Sequence, residues 1–300
     1  MLLSGLFVLA KYAVFEKVMS DANYGMRAVC KDKHVSSLFL GSSMFRQGIN
    51  SVEIDSASFL LQYSANQPAF EAIQLEELIA QGVEIKHLVM DMYAYSAVDK
   101  LQIYDRRMIM DGGLGYSLKL YDKLSEKENV GYLLKMVFQE NNEFFATLPI
   151  SFKMINSRYD RGASTVFRES ATKEALDELP MVGHDSTAVT RDQIEGIKKI
   201  ILICKSHSIG LLFVETPKYL RVHQDKQYLE TMADYARILS EMGVKMVMCE
   251  STLLNIGVPQ NANIESYIFE NSKPGLFYDL VHLSGEGRAL FSEVLKEKID

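Results

Sequence analysis

The sequence predicts an α/β protein in which a parallel, flavodoxin-like sheet lies between two layers of helices. Three observations predict this three-layer α/β/α fold. Short apolar segments alternate along the chain with longer segments whose apolar residues recur at helical spacing. The short segments are apolar at nearly every position, which is typical of parallel strands covered on both faces. The chain has 300 residues, of which 48% are hydrophobic, so it can bury one large core.

Strand and helix patterns alternate through most of the chain. The predicted strands cover residues 35–40, 59–63, 86–92, 210–214 and 244–249. The predicted helices cover residues 68–80, 192–207, 227–242 and 284–297. Gly82 is suited to end the first of these helices, and Ser284 is suited to cap the start of the last.

The predicted domain organisation is an N-terminal segment, 1–33, followed by one α/β domain, 34–300, with an insert at about 96–185. Residues 1–10 are almost wholly apolar, and the polar residues up to 33 are predicted to form a tether. Two interpretations of the apolar run stay open: a membrane anchor, or an amphipathic helix packed on the domain. The insert contains a helix-like segment at 121–145 and a polar segment at 157–168. We expect it to lie over or beside the functional edge of the sheet.

Composition and spacing exclude several classes of partner. The net charge of −7 argues against nucleic acid, whose phosphates require a basic face.

Cys204 and Cys249 lie in apolar stretches and are expected to be buried thiols. The glycine-rich run 112–115 follows no strand, so it is predicted to be a loop and not a dinucleotide site. His87 and Asp91 share a strand face, but no third metal ligand accompanies them. The sequence therefore predicts no cofactor and no metal.

Polar residues follow three of the predicted strands at the point where each strand ends. They are Gly41–Ser43, Asp91–Tyr93 and Thr216–Pro217. Because ligands of open parallel sheets bind at the carboxyl ends of the strands, these segments mark the expected site.

Ser43 is the candidate nucleophile at this edge. It follows a buried strand and Gly41, and it opens a predicted helix, whose N-terminal N–H groups favour a developing oxyanion. A serine needs an adjacent base to become a nucleophile. The alternative is that Ser42 or Ser43 only caps the helix.

Asp279 and His282 are candidates for that base and its partner. They lie three residues apart, just before the last predicted helix. In a turn, both side chains can face the same edge, where the carboxylate would orient the imidazole and the imidazole would take the serine proton. The alternative is an ordinary surface turn.

Together, these two blocks resemble the first and last sequence blocks of the SGNH (GDSL-like) hydrolases and acyltransferases. The first block is Gly41-Ser42-Ser43, a variant of G-D-S similar to that of membrane-tethered envelope members such as the teichoic acid D-alanyl transfer protein, and Gly48-Ile49-Asn50 continues the likeness. The last block is 279–283, Asp-Leu-Val-His-Leu. The resemblance covers about 35–299, with the insert unmatched. It implies Ser43 as nucleophile, His282 as general base and acid, and Asp279 as the residue that orients His282.

The middle blocks of that family differ from this chain. The family takes oxyanion donors from a glycine after its second strand and from an asparagine in G-x-N-D after its third, and the sequence contains no G-x-N-D. Asn66, or a neighbouring backbone N–H, is the candidate replacement, with Gly41 as a second oxyanion or substrate-binding candidate. Asn66 is equally interpretable as a helix N-cap.

The leading hypothesis is a serine-dependent ester hydrolase or O-acyltransferase that acts on a small acyl ester or an O-acylated cell-surface polysaccharide. The resemblance implies attachment to a membrane through the N-terminus and an extracytoplasmic location, whereas a bare esterase domain would be cytoplasmic. The alternative is a catalytically inactive SGNH-like domain that binds glycan or an envelope partner. Several residues of the insert could bind a sugar or an anion, or form a solvated surface: Tyr104, Arg106, Arg107, Tyr116, Arg158, Tyr159, Arg161 and Arg168.

Overall fold

A computed structural model of the chain describes residues 23–92, 157–181, 189–259 and 261–299, together with parts of 101–124. Its strands are β1 (His34–Gly41), β2 (Phe59–Gln62), β3 (Glu84–Asp91), β4 (Tyr159–Asp160), β5 (Ala163–Ser164), β6 (Gly210–Val214), β7 (Lys245–Cys249) and β8 (Ile264–Tyr267). Six of these strands form one sheet in the order β2-β1-β3-β6-β7-β8, in which every neighbouring pair is parallel. The strands β4 and β5 form a separate antiparallel hairpin.

Helices flank the sheet. They are α1 (Gly25–Asp32), α2 (Ser43–Gly48), α3 (Ser51–Ile54), α4 (Pro68–Ala80), α5 (Gly113–Tyr121), α6 (Lys173–Glu178), α7 (Arg191–Ser206), α8 (Leu220–His223), α9 (Lys226–Glu241), α10 (Glu250–Leu253) and α11 (Gly285–Ile299). The predicted three-layer, flavodoxin-like α/β/α fold is confirmed.

The carboxyl ends of the central strands meet at one edge because the strands are in close register. Leu40 of β1 is opposite Met90 of β3, and Asp91 of β3 is opposite Val214 of β6. The residues that follow these ends therefore lie side by side. Burial on both faces explains the continuous apolar runs, since the last five residues of β1 and all four residues of β2 are buried.

Most predicted elements of the domain are present with small shifts of their ends. The bounds of α4 and β6 are those that the sequence predicted, and Ser284 caps α11 by accepting the N–H of Gly287 at 3.3 Å. Cys204 and Cys249 are buried, as expected. The strand β8 was not predicted, because only one of its four residues is buried and it lacks a continuous apolar run.

Two sequence predictions about irregular segments were wrong. Residues 25–32, expected to be tether, form α1, whose Met26 and Val29 are buried. The glycine-rich run expected to be a loop enters α5 at Gly113.

Several predictions fall outside the described residues. These are the apolar N-terminal run within 1–22, and most of the helix-like segment at 121–145, whose first residue is the last of α5. Within the described residues, no helix has the length and apolarity that crossing a bilayer requires.

Residues 159–171 of the insert run from the β2 edge of the sheet to the turn that carries His282. Leu60 of β2 donates its N–H to the Arg161 carbonyl at 3.0 Å, so the hairpin covers the edge strand. Further along, the Arg168 carbonyl accepts the N–H of Gly285 at 3.1 Å, and Ala171 donates to the Phe277 carbonyl at 2.8 Å. This segment of the insert therefore lies beside the predicted site, whereas α5, another segment of the insert, packs against α4.

Gly162 controls how closely the hairpin approaches β2. Its φ is +80°, and a Cβ there would lie 1.8 Å from the Leu60 carbonyl oxygen. We expect Gly162→Ala to lower the free energy of unfolding by roughly 3 kcal/mol or more, since left-handed strain and a backbone clash both act. Gly82→Ala is the matched control, because Gly82 has a φ of +76° with no atom within 4 Å of its Cβ position. It should cost only about 1–2 kcal/mol. Equal losses in urea unfolding of the two variants would show that the hairpin does not dock in this way.

Candidate active site

The two adjacent serines of the first block take different positions. Ser42 is the N-cap of α2: its hydroxyl oxygen accepts the N–H of Met44 at 3.2 Å, and the side chain is buried. Ser43 is the first residue of the helix and is partly exposed. The capping alternative therefore describes Ser42, which leaves the Ser43 hydroxyl available for other contacts.

The segment 277–283 forms a tight turn that closes on itself. Phe277 and Leu283 pair in an antiparallel bridge, and Tyr278 donates its N–H to the His282 carbonyl at 3.0 Å. The Asp279 carboxylate oxygen Oδ1 accepts the backbone N–H of Val281 at 2.9 Å and of His282 at 2.8 Å. These bonds hold the Asp279 and His282 side chains on the same side of the turn.

The structure brings Ser43, His282 and Asp279 together. The Ser43 Oγ lies 3.1 Å from His282 Nε2, and His282 Nδ1 lies 2.9 Å from Asp279 Oδ2 and 3.1 Å from Oδ1. A carboxylate only accepts hydrogen bonds, so Nδ1 carries the ring proton and Nε2 presents its lone pair to the Ser43 hydroxyl. The side chains of His282 and Asp279 are 21% and 29% exposed, which leaves the site open to a solute.

Opposing influences set the charge of Asp279. Partial burial raises the pKa of this carboxyl, but the hydrogen bond and charge of His282, with the two backbone N–H groups, outweigh burial and bring the pKa below its ordinary value. Asp279 is therefore ionised at neutral pH and can stabilise a positive charge on His282.

Helix α11 connects the two halves of the site. Arg288 is buried; its Nε donates to the Ile49 carbonyl and one of its NH groups to the Ser164 carbonyl, both at 2.7 Å. Asn50 donates its N–H to the Ser292 hydroxyl at 2.8 Å. The segment Gly48–Asn50 after the Ser43 helix is thus fixed to the helix that follows His282, which explains its position in the motif. No sequence pattern singled out Arg288 beyond its place in the last predicted helix.

The two oxyanion candidates named from the sequence, Asn66 and Gly41, are both buried. Asn66 is 1% exposed, and its side-chain amide pairs with that of Gln74, donating at 2.9 Å and accepting at 3.3 Å. Gln67, not Asn66, is the N-cap of α4. Gly41 accepts the N–H of Tyr63 at 3.3 Å, and a Cβ on Gly41 would lie 2.8 Å from the Asp91 Cβ. Gly41 therefore allows Asp91 to approach the serine block.

Asp91 and Lys218 are buried at the same edge. The sequence placed Asp91 in a strand-end segment of the expected site but indicated no role for it, and no sequence pattern singled out Lys218. Asp91 is 5% exposed and accepts the Ser42 hydroxyl proton at 2.9 Å. Lys218 is 1% exposed, and its ammonium donates to the Thr216 carbonyl and hydroxyl oxygens, both at 2.9 Å. The only feature of the sequence that could have pointed to a role for these residues is their position, since each lies within four residues of the end of a strand.

The polar side chains of the insert have varied positions. Arg161 is held by Asp32 and by the Ser58 carbonyl, and Tyr116 is buried, so both serve the fold. Arg168 is exposed beside the site, where its guanidinium lies 4.7 Å from the centre of the Tyr278 ring. Among the described residues, no group of three or more His, Cys, Asp or Glu side chains could hold a metal ion.

Comparison with protein-family models and with curated proteins gives no match: no family model matches the chain, and no curated protein matches its sequence.

Proposed function

We propose that this chain is a serine-dependent ester hydrolase or O-acyltransferase, with Ser43 as the nucleophile. The observation that carries the proposal is the hydrogen-bonded chain from the Ser43 hydroxyl through the His282 ring to Asp279, with distances of 3.1 Å and 2.9 Å. A serine becomes a nucleophile when its hydroxyl contacts a base and a third group orients that base. The motif resemblance to SGNH hydrolases supports the same assignment.

In the proposed reaction, the Ser43 oxygen attacks the ester carbonyl carbon while its proton passes to His282 Nε2. Asp279 keeps the Nδ1 proton in place and stabilises the imidazolium. The tetrahedral intermediate then collapses: the bond to the leaving alcohol breaks, His282 returns the proton to that oxygen, and the acyl group stays on Ser43. Water or an acceptor hydroxyl next attacks the acyl-serine while its proton passes to His282. The bond between the acyl group and the Ser43 oxygen then breaks, His282 returns the proton to that oxygen, and an acid or a new ester is released.

The oxyanion of the intermediate would be met by backbone N–H groups. The N–H of Ser43 has no acceptor in the part of the chain that the structure describes, and it belongs to the residue that carries the attacking oxygen. The Asn66 amide is paired with Gln74, so a side-chain donor from Asn66 is not part of the proposal. The turn after β2 would add a neighbouring backbone N–H, since Tyr63 fixes this turn to Gly41.

The substrate class we propose is a small acyl ester or an O-acylated polysaccharide of the cell surface. The resemblance to membrane-tethered envelope members supports the polysaccharide and an extracytoplasmic, membrane-anchored location. The exposed pair of Arg168 and Tyr278, at hydrogen-bond distance of 3.3 Å beside the Asp279 turn, offers a polar and aromatic surface suited to a sugar ring.

Covalent labelling of the full chain with a fluorophosphonate probe tests this function. We expect one adduct per molecule, mapped by mass spectrometry to Ser43, because only an activated serine reacts with such a probe. Heat-denatured protein is the control and should give no adduct. Wild-type protein that remains unlabelled, and that turns over no acyl ester, would favour the alternative of an inactive glycan-binding domain.

A further inference from the structure

Asp91 lies directly behind the serine block, in an unusual setting for a carboxyl group. It is 5% exposed, and its Oδ2 accepts the Ser42 hydroxyl proton at 2.9 Å. Its Oδ1 is buried and has no hydrogen-bond partner within the described residues. Burial of a carboxyl group with one oxygen that lacks a hydrogen bond lowers the stability of the fold. Such a group at the edge of a site is therefore a candidate for a functional role.

Four groups from four elements interact with Asp91. The Ser42 hydroxyl at the start of α2 donates a hydrogen bond to it. Lys218 after β6, His282 in the turn before α11 and Glu71 of α4 interact with it through charge. Burial raises the pKa of Asp91 to about 6, although the charge of Lys218, the Ser42 hydrogen bond and the charge of His282 all act to lower it. Asp91 is therefore ionised above about pH 6. Glu71 is different, because burial and the neighbouring Asp91 raise its pKa well above the ordinary value, which favours its uncharged form.

We propose that Asp91 is a positioning residue of the site, whose carboxylate holds the Ser42 hydroxyl and whose negative charge stabilises the protonated form of His282. The inference deepens the proposed function and rests on it. Asp91 fixes the start of the nucleophile helix through a continuous chain of contacts: Asp91 Oδ2 to the Ser42 hydroxyl at 2.9 Å, and that hydroxyl to the Met44 N–H at 3.2 Å. Asp91 then supplies a second negative charge, in addition to that of Asp279, to stabilise protonated His282.

Lys218 has a defined part in this proposal. Its ammonium is buried and donates to two Thr216 oxygens. Among the described residues it forms no salt bridge with Asp91, so it acts on Asp91 through its charge alone. The Lys218 charge favours the ionised form of Asp91. Gly41 has a part as well, because any side chain there would meet the Asp91 Cβ at 2.8 Å and displace the carboxylate from Ser42.

The rate of fluorophosphonate labelling, measured from pH 5 to pH 8.5 on full-length variants, tests the role of Asp91. Asp91→Asn keeps an acceptor for Ser42 but removes the charge. We expect wild type to react about tenfold faster than Asp91→Asn at pH 8, since that ratio corresponds to one pK unit of electrostatic stabilisation. Near pH 5 the ratio of the two labelling rates should fall to about one. At that pH Asp91 of the wild type is protonated, so residue 91 is neutral in both proteins. Glu71→Gln is the matched control, since it replaces a buried carboxyl whose raised pKa favours the uncharged form, and it should follow the wild type throughout.

A second variant keeps the test decisive if Asp91→Asn folds poorly. Lys218→Met leaves Asp91 and Ser42 in place but removes the charge that favours ionised Asp91, so its labelling rate should begin to fall at a pH about one unit higher than in wild type. A rate ratio for Asp91→Asn that is constant with pH, or a Lys218→Met profile that coincides with wild type, would overturn the proposal. Wild-type protein that does not label at any pH would instead overturn the proposed function.

Discussion

Ser43→Ala should lower the turnover of a small acyl ester, such as p-nitrophenyl acetate, by about a thousandfold or more, because it removes the atom that forms the acyl-enzyme. The free energy of unfolding should change by less than about 0.5 kcal/mol. Ser43 is partly exposed, and the cap of α2 belongs to Ser42, so the substitution removes little packing. Steady-state kinetics and urea unfolding of the same preparation would measure both quantities.

Ser42→Ala provides the control for the neighbouring hydroxyl. It removes the helix cap and the hydrogen bond to Asp91, so it should lower the free energy of unfolding by about 1–2 kcal/mol. It should nevertheless retain measurable turnover, since Ser43 and His282 remain. An inactive Ser42→Ala together with an active Ser43→Ala would move the nucleophile by one residue and contradict the assignment.

His282→Ala should cause a loss of turnover as large as that of Ser43→Ala, because in the proposed mechanism the serine proton leaves through the 3.1 Å contact between their side chains. The double variant should be no less active than either single variant, since residues that act in one step are not additive. Added imidazole should restore part of the activity of His282→Ala and none of the activity of Ser43→Ala. Independent, multiplicative losses in the double variant would contradict a shared step.

Asp279→Asn separates orientation from proton transfer in the same triad. The substitution leaves the shape of the turn but removes the carboxylate that holds the Nδ1 proton, so the loss of turnover should be equal to or smaller than that of His282→Ala. The loss should be visible across neutral pH, because the lowered pKa of Asp279 keeps this group ionised there.

Local patterns in the sequence predicted those parts of the fold that local forces determine. The helix 68–80 and the strand 210–214 have the predicted bounds because apolar periodicity, a terminal glycine and a strand-ending proline are local signals. The edge strand β8 lacks such a signal, since most of its side chains are not buried. The helix α1 was missed because only one of its faces is apolar, and that face is buried against β2 and α4.

The candidate site was predictable only where a motif marked it. Ser43, Asp279 and His282 were found because strand and helix ends placed them at one edge. Asp91 was placed at this edge but given no role, and Lys218 was not singled out, because their burial and mutual charge arise only when β3 and β6 pair. The pairing of Asn66 with Gln74 was also invisible, although these residues are only eight positions apart, since either amide could equally have faced the site.

The proposed nucleophile and its base are 239 positions apart along the chain, and they meet through the docking of α11 against the segment after α2. Closing a loop of this length costs conformational entropy, so the contact depends on the rest of the fold. Any partly folded form in which α11 has not docked contains Ser43 without His282. In the proposed mechanism such a form would not react with an acyl donor, so labelling of Ser43 would report that α11 is docked.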